Sequence, residues 1–548
     1  MFKRRCLILI LMGGISLLSG YYFGQNKVNS RPVDWSMIET LHFDVYFPAG
    51  NDEFGRLVAL MAEETYYYLK ESFQFPILSR IPIIVYGSKT EFQTTNIIYP
   101  LLTEGVGGFT ESLRNRVVIP FDGSFKQLEE VLTHELTHAY INAMDKGMGG
   151  SFISLRSSYF PFWFSEGLPE LLSVGGKSVY NDMYILDMVV NDNIRDLEYL
   201  DGYLAYRLGE SFLAYLDEVY GRDKVMDYFY ALRVISNLDD ATRKIFGMKF
   251  EELQSRWRFY LKREFFPMIG THTVPQEKYE QRTNHREDGS SLNTAPRFSR
   301  DGQRLIYFSN RGGRYSIWLS TVYGLTPPTR ILLGEASSNY EEFYYFRSTL
   351  SWFPDNRRIA FVSKTAEGDR INIFDVDSRR LLESIGLNQM NGIYEIDVSP
   401  CGRYIVMSAQ PTMQSDLYLL DLDTRELTQL TDDSFYDYQP RFSPDGRYIA
   451  FSSERTQTAD NFRKGFFSHY VSDLFLYGID DGSIAQLTNE EYNCSSPEWT
   501  SAGDQILFVS ERMGSSNFEL LDLATSRTAP VSQTLAGVFT GDLSYDDK

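Results

Sequence analysis

A short pattern that recurs through the second half of the chain constrains the fold more than any other feature. Each copy is an apolar strand-like run, a tight turn of the Ser-Pro-Asp-Gly type and a second apolar run. These turn residues favour hairpins, because proline presets one backbone angle while aspartate and glycine tolerate the sharp reversal. The copies recur roughly every 50 residues, which is the period of a four-stranded propeller blade and not of a helical solenoid. The aligned turn positions are Ser299, Phe353, Ser399, Ser443 and Thr500.

These copies resemble the TolB-like beta-propeller repeat, and the resemblance extends from about Ala295 to Lys548. Two copies depart from it, since Cys401 and Ala502 replace the aspartate of the turn. A sixth copy begins at Gly541 and stops at the last residue. We therefore expect a six-bladed propeller of which five blades are complete in this chain. Either the chain ends before its natural terminus, or strands from elsewhere complete the ring.

The first half carries a motif with metal-binding spacing. His134 and His138 lie four residues apart, and Glu135 follows the first of them. The preceding residues are good helix formers, and Ser124 and Gln127 have the spacing of a capping box, so we predict a helix here. On a helix, positions i and i+4 share one face, and both imidazoles can therefore reach a single metal ion. A carboxylate beside them can take the proton of a metal-bound water, which is the chemistry of a hydrolytic zinc site.

A third ligand is expected downstream, where Glu166 precedes a glycine. Together the two motifs resemble the gluzincin, peptidase MA-like metallopeptidases, in which a glutamate before a small residue completes a His-His-Glu site for Zn²⁺. The resemblance implies that Glu166 binds zinc and that Glu170 orients a ligand histidine, although a surface or helix N-terminal role is the alternative for Glu170. The chain departs from the family at Ser165, where asparagine is frequent. The interval after His138 is also long, which implies an inserted loop at about 145–159.

A substrate-binding strand and an oxyanion donor are also implied by this resemblance. In gluzincins an edge strand beside the zinc holds an extended substrate, and the predicted strand before the motif helix is the candidate. Its residues are Arg116, Val117, Val118 and Ile119. An ordinary sheet strand after the glycines at 105, 107 and 108 is the alternative. Tyr203 and Tyr206 are both candidates for the hydrogen bond that stabilises the oxyanion.

Composition limits the partners and the compartment. The net charge of -20 and the pI of about 4.9 argue against nucleic acid as a partner. Lys3, Arg4 and Arg5 precede an apolar run from Cys6 to Phe23, which is typical of a secretory signal or an uncleaved anchor. The lack of a small-x-small cleavage site favours the anchor. We expect an exported protein, periplasmic or on the cell surface, held in the inner membrane by residues 6–23 if they are retained.

These observations predict a multidomain chain in which an α+β gluzincin-like metallopeptidase domain precedes an all-β propeller. The expected parts are a signal or anchor at 1–30, the peptidase-like domain at 36–267, a polar linker at 268–293 and the propeller at 294–548. The predicted function is that of a zinc-dependent metallopeptidase that hydrolyses peptide bonds in a peptide or protein substrate, with the propeller selecting substrates or partners. The alternative is an envelope scaffold protein that binds a partner protein through the propeller and whose zinc domain is not catalytic.

Overall fold

The computed structural model describes residues 26, 33–147, 160–176, 178–324, 326–335, 337–347, 349–455, 471–544 and 547. The predicted signal or anchor run at 6–23 and the predicted inserted loop at 145–159 lie outside the side chains described. Within the described ranges, no helix combines the length and apolar character needed to cross a membrane.

The first half contains a five-stranded sheet covered by helices. Its strands are β1 (Trp35–Glu39), β2 (Phe43–Pro48), β3 (Ile81–Tyr86), β4 (Phe109–Glu111) and β5 (Arg116–Pro120). They follow the spatial order β1-β2-β3-β5-β4. The pairs β2–β3 and β3–β5 are parallel, whereas both outer pairs are antiparallel. Strand β4 is therefore an edge, and β5 is an interior strand.

Eleven helices of the described chain complete this half and its connection to the second half. They are α1 (Asp52–Phe73), α2 (Lys89–Phe92), α3 (Phe125–Gly147), α4 (Phe162–Val174), α5 (Val179–Val190), α6 (Gly202–Tyr220), α7 (Arg222–Val234), α8 (Leu238–Phe246), α9 (Phe250–Ile269), α10 (Pro275–Lys278) and α11 (His285–Asp288). A short 3₁₀ turn, Leu197–Tyr199, precedes α6. The apolar faces of the long helices and of the sheet form one continuous buried core. The predicted helix over the histidine motif is confirmed as α3.

The second half is a propeller of five antiparallel sheets. Blade one is β6 (Asn293–Phe298), β7 (Arg304–Ser309), β8 (Ser316–Thr321) and β9 (Thr329–Leu333); blade two is β10 (Glu342–Phe343), β11 (Leu350–Trp352), β12 (Arg358–Thr365), β13 (Gly368–Asp375) and β14 (Arg380–Gly386). Blade three is β15 (Gly392–Val398), β16 (Tyr404–Gln410), β17 (Asp416–Asp421) and β18 (Leu427–Gln429). Blade four is β19 (Asp437–Phe442), β20 (Tyr448–Ser453), β21 (Asp473–Gly478) and β22 (Ile484–Gln486); blade five is β23 (Cys494–Trp499), β24 (Gln505–Ser510), β25 (Asn517–Asp522) and β26 (Arg527–Pro530).

The prediction of five complete blades is confirmed, and the described residues of the partial sixth copy, after β26, form no further sheet. Instead, Asp542 accepts a hydrogen bond from the amide of Phe298 in blade one, at 2.6 Å. Asp397 of blade three makes the same contact with the amide of Phe442 in blade four, at 3.0 Å. The partial sixth copy therefore supplies to blade one the inner-strand contact that is typical of the repeat, without building a blade.

The two halves pack directly against each other through buried polar groups. Glu104 accepts a hydrogen bond from the backbone amide of Tyr345, at 2.8 Å. The Arg347 guanidinium lies 3.2 Å from Asp122, which follows β5. Ser124, just before α3, donates to Glu454 of blade four at 2.8 Å. In the segment predicted as a linker, Thr273 pairs with Thr534, so this connection is also attached to the propeller.

Candidate metal centre

Helix α3 presents the histidine motif because its N-terminus is capped and its other face is buried. The Ser124 hydroxyl accepts a hydrogen bond from the Gln127 amide at 3.1 Å, as the capping spacing predicts. The residues that anchor the buried face are Leu128, Leu132, Leu136 and Ala139. With that face fixed in the core, the two histidines are directed towards α4.

The three predicted zinc ligands converge from α3 and α4. The Nε2 atoms of His134 and His138 lie 3.3 Å apart. An oxygen of Glu166 lies 3.3 Å from the His138 Nε2 and 3.7 Å from the His134 Nε2. Two imidazole nitrogens and one carboxylate oxygen are the donor set of a catalytic zinc site, which keeps its fourth position for water or substrate.

Charge around these residues also favours a cation. Burial lowers the pKa of His134, but hydrogen bonds to Glu166 and Glu170 and the charge of Glu135 outweigh burial and raise this pKa to about 10. Burial raises the pKa of Glu166, but its hydrogen bonds to the two histidines outweigh burial and bring it well below the usual range. The carboxylates thus stabilise positive charge between them, and the residues fit a bound Zn²⁺.

Glu170 lies one helical turn beyond Glu166 and contacts the back of His134. One of its oxygens is 3.3 Å from the His134 Nδ1, and the other is 3.0 Å from Arg207 on α6. Arg207 in turn lies 3.4 Å from Glu210, which is fully buried. Contact at Nδ1 leaves Nε2 of His134 directed at the other two ligands. The structure therefore places Glu170 where an orienting carboxylate would lie.

Sequence reasoning missed Arg207 and Glu210. Their spacing of three residues on a helix was the available signal, since such positions share a face. Burial dominates at Glu210 and raises the pKa of its carboxyl to about 8, although the charge of Arg207 opposes this effect.

Helices α4 and α6 approach closely enough for this network because two glycines meet. A Cβ atom on Gly167 would lie 2.5 Å from the carbonyl carbon of Gly209. One on Gly209 would lie 2.1 Å from the carbonyl oxygen of Trp163. Only glycine fits at such separations. Gly167 therefore serves the packing that brings Glu166 and α6 to the same site.

Glu135 is buried, and its position is set by β4. The Thr110 hydroxyl lies 2.7 Å from a carboxylate oxygen of Glu135 and 2.8 Å from its backbone carbonyl. A Cβ atom on Gly108 would lie 3.1 Å from the Glu135 Cγ and 2.9 Å from Ile119. The glycine therefore allows β4 to pass directly beside the motif helix. Sequence analysis did not single out Thr110, which carries no recognisable motif.

The prediction that β5 is the edge strand that binds substrate is wrong. Strand β5 pairs with β3 on one side and β4 on the other, so its backbone has no free edge for a substrate. Val117, Val118 and Ile119 are fully buried, and Arg116 pairs with Glu111 at 3.1 Å. The edge beside Glu135 is β4, which pairs only with β5 among the described strands.

The two candidate tyrosines have different surroundings. The Tyr206 ring lies parallel to the His134 ring, with centroids 6.0 Å apart. Burial and the nearby Glu166 raise the pKa of Tyr206, so its hydroxyl keeps its proton. Tyr203 is half exposed and packs on Tyr184, with centroids 5.6 Å apart. Tyr206 therefore lies at the site, and Tyr203 belongs to an outer aromatic cluster.

A second group of carboxylates among the described residues lies in the propeller, formed by Asp416, Asp433 and Asp437. Arg455 contacts Asp433 at 2.6 Å and Asp437 at 2.7 Å. This arginine already supplies the positive charge, so the group is accounted for without a metal ion.

Comparison with known proteins identifies the second half. The protein-family model described as the TolB beta propeller domain matches residues 347–534. TolB from Acinetobacter baumannii is a similar solved structure, with 15% identity and a TM-score of 0.35 over 44% of this chain and 55% of that one. A putative TolB from Agrobacterium tumefaciens has 20% identity and a TM-score of 0.36 over 47% of this chain and 87% of that one. An oligogalacturonate lyase in complex with manganese has 16% identity and a TM-score of 0.31 over 43% and 63% of the two chains.

The chain spans 55% of the length of the Acinetobacter TolB. A search of curated proteins found no match. The family match and the five sheets confirm a five-bladed propeller of TolB type, preceded by a mixed helical and sheet part. The family match lies wholly within the propeller, so the resemblance of the first half to gluzincins stays a prediction.

Proposed function

We propose that this chain is a zinc-dependent metallopeptidase of gluzincin type, exported and anchored in the inner membrane through residues 6–23. The observation that carries the proposal is the convergence of His134, His138 and Glu166 from two helices, with Glu135 buried beside them. The sequence spacing and the spatial arrangement agree independently, because α4 is separated from α3 by a long interval.

Each residue has a role that follows from its contacts. His134, His138 and Glu166 would hold a zinc ion, which would supply polarisation of a carbonyl and activation of a water molecule. Glu135 is placed to accept a proton from a water molecule beside the histidines, and the hydroxyl of Thr110 keeps its carboxylate in place. Tyr206 keeps its proton and donates a hydrogen bond to the developing oxyanion.

A polypeptide substrate is supported by the edge strand. Strand β4 passes beside Glu135 and pairs with β5 on one side. An extended peptide can add to its other side through backbone hydrogen bonds, which would carry the scissile bond past the histidines. We therefore assign substrate binding to Phe109–Glu111 and not to β5.

The test is metal analysis combined with a peptide-library cleavage assay. Purified protein should contain about one zinc per chain, and Glu135→Gln should retain the metal while losing hydrolysis. Glu71→Gln, at an exposed position on α1, is the matched control and should behave as wild type. Protein purified with zinc in the buffer but free of metal would contradict the proposal.

The second candidate function is a scaffold that binds an envelope protein through the propeller. A cavity of about 290 Å³ at the mouth of the propeller axis favours it. Charged side chains from four blades and from the chain after β26 line this cavity: Arg297, Asp397, Arg441, Glu498 and Asp542. Under this interpretation, Glu135→Gln leaves the cellular phenotype intact, whereas deletion of residues 295–548 abolishes it. Loss of the phenotype in the Glu135→Gln strain would exclude it.

A further inference from the structure

Asn26 attaches the start of the described chain to one loop of the first half. Its side-chain amide donates to the carbonyl of Thr95 at 2.7 Å and lies 3.4 Å from the carbonyl of Pro100. Its side-chain oxygen accepts a hydrogen bond from the amide of Leu102 at 2.9 Å. The Asn26 residue is 5% exposed. The Asn26 side chain therefore bonds to backbone groups on the inner side of this loop and holds Asn26 against it.

The loop that Asn26 holds presents apolar side chains to the outside. Ile97 is 37% exposed, Tyr99 is 60% exposed and Leu101 is 56% exposed. Ile98 and the following Leu102 turn inward and pack on one small core, whereas Pro100 is exposed. We call the exposed side chains of Ile97, Tyr99 and Leu101 the tether loop surface.

This loop carries no charged residue, a property that it shares with other stretches such as 315–329 and 528–541. No residue from Gln93 to Thr103 is ionisable at neutral pH, although the chain carries a net charge of -20. An uncharged surface with exposed isoleucine, leucine and tyrosine suits the boundary between lipid headgroups and acyl chains, where tyrosine is enriched. A strongly acidic surface elsewhere would be repelled by anionic lipids, so this loop is suited to make the contact.

The apolar run at 6–23 ends three residues before Asn26. Three extended residues span at most about 11 Å, so a run held in a bilayer keeps Asn26 close to the bilayer surface. Because Asn26 is attached to the loop, the tether loop surface is held there as well.

We propose that Ile97, Tyr99 and Leu101 insert into the outer interface of the membrane that holds residues 6–23. The inference rests on the anchored form of the proposed function. It gives that function an orientation: the edge strand β4 begins a few residues after the loop, so the metal centre works close to the bilayer. The substrates this favours are polypeptide segments that lie near the membrane surface.

The experiment uses the full chain reconstituted in vesicles of phosphatidylethanolamine and phosphatidylglycerol. An environment-sensitive dye is attached at Tyr99→Cys after Cys6 and the exposed Cys401 are changed to serine, leaving the buried Cys494. The matched control is Tyr448→Cys. Tyr448 is the first residue of β20, whereas Glu454, which contacts Ser124 of the first half, follows the other end of that strand. We expect brominated lipid chains to quench the dye at position 99 by about twofold or more and to leave the dye at position 448 unaffected.

Two outcomes would overturn the proposal. One is a dye at position 99 that stays unquenched in lipid vesicles. If the same dye is shielded in native membranes but not in vesicles, a protein partner and not lipid covers the surface. The other is mass spectrometry showing that the exported protein has lost the residues before Asn26. Zinc content and peptide cleavage are measured on the same samples. A quenched dye without zinc or peptide cleavage would contradict the peptidase proposal alone. An unquenched dye with normal zinc content would contradict only the membrane contact of the tether loop surface.

Discussion

The candidate metal centre and the interface between the two halves both bury several carboxyl groups. The two regions differ in how the negative charge of these groups is compensated. At the metal centre, Glu166 and Glu170 face imidazoles and Arg207, and their pKa values are lowered despite burial. At the interface, Glu104 accepts hydrogen bonds mainly from the backbone, and burial raises its pKa to about 8. Buried carboxyl groups therefore do not make a metal site by themselves. The candidate metal centre differs from the interface in that it combines converging nitrogen donors with a surplus of negative charge.

The largest effect is expected at the interface, from Arg347→Ala. This guanidinium contacts Asp122 and lies 4.3 Å from the centre of the Tyr394 ring. Removing it leaves buried acids without a cation, which should lower the free energy of unfolding by about 3–5 kcal/mol in urea titrations. Arg447→Ala is the control, because its ion pair with Asp480 is exposed and should matter little. Equal losses in the two variants would show that the interface charge is not stabilising.

The next effect separates the two tyrosines at the metal centre. Tyr206→Phe should reduce kcat by about 10²–10³-fold, because it removes one hydrogen bond to the oxyanion. Tyr203→Phe should leave kcat near wild type, since its hydroxyl lies 3.4 Å from that of Tyr180 in the outer cluster. Zinc content should be unchanged in both. A larger loss in the Tyr203 variant would reverse the assignment.

A smaller effect is expected for Glu170→Gln, which removes the charge behind His134 but keeps the shape. Partners of this kind typically contribute 10–100-fold to metal affinity. We expect zinc to be lost at lower chelator concentrations, with hydrolysis recovering when zinc is restored. The control is Glu251→Gln, at an exposed position near the start of α9. Unchanged zinc affinity would mean that Glu170 serves only helix packing with Arg207.

Features that local sequence dictates were predicted, and features that depend on pairing in space were not. Helix α3 was predicted because the cap at Ser124 and the apolar spacing lie in one continuous segment. Which strand forms an edge is a property of its neighbours, so β5 was assigned a role that belongs to β4. Thr110 acts through a single hydroxyl and has no sequence signature.

The blade count shows the same limit. The sequence signature of a sixth copy at Asp542 is real, because that residue makes the inner contact typical of the repeat. One signature contact does not require the remaining strands, and five sheets are present. The buried contacts between the halves were not predicted either. Gln93 and Glu104 are buried because two distant segments pack together, and both contact Glu342 of the propeller.

The smallest effect expected is a change in pH dependence for Glu104→Gln. Burial raises the pKa of this carboxyl from 4.5 to about 8, while the nearby Arg347 lowers it. Between these two pKa values the folded protein binds more protons at this group than the unfolded chain does. The contribution of Glu104 to stability is therefore complete below about pH 4.5 and is lost as pH rises towards 8.

Glutamine cannot titrate, yet it keeps an oxygen that can accept from the amide of Tyr345. The free energy of unfolding of Glu104→Gln should therefore fall less steeply than that of wild type between pH 5 and pH 7. Zinc-free samples are used because metal binding has its own pH dependence. Glu395 and Glu454, whose pKa values burial raises to about 7, contribute equally to both proteins. Glu367→Gln, at an exposed side chain, should keep the wild-type slope. Parallel slopes for wild type and Glu104→Gln would show that Glu104 is ionised in the folded protein, and that the interface neutralises its acids as the metal centre does.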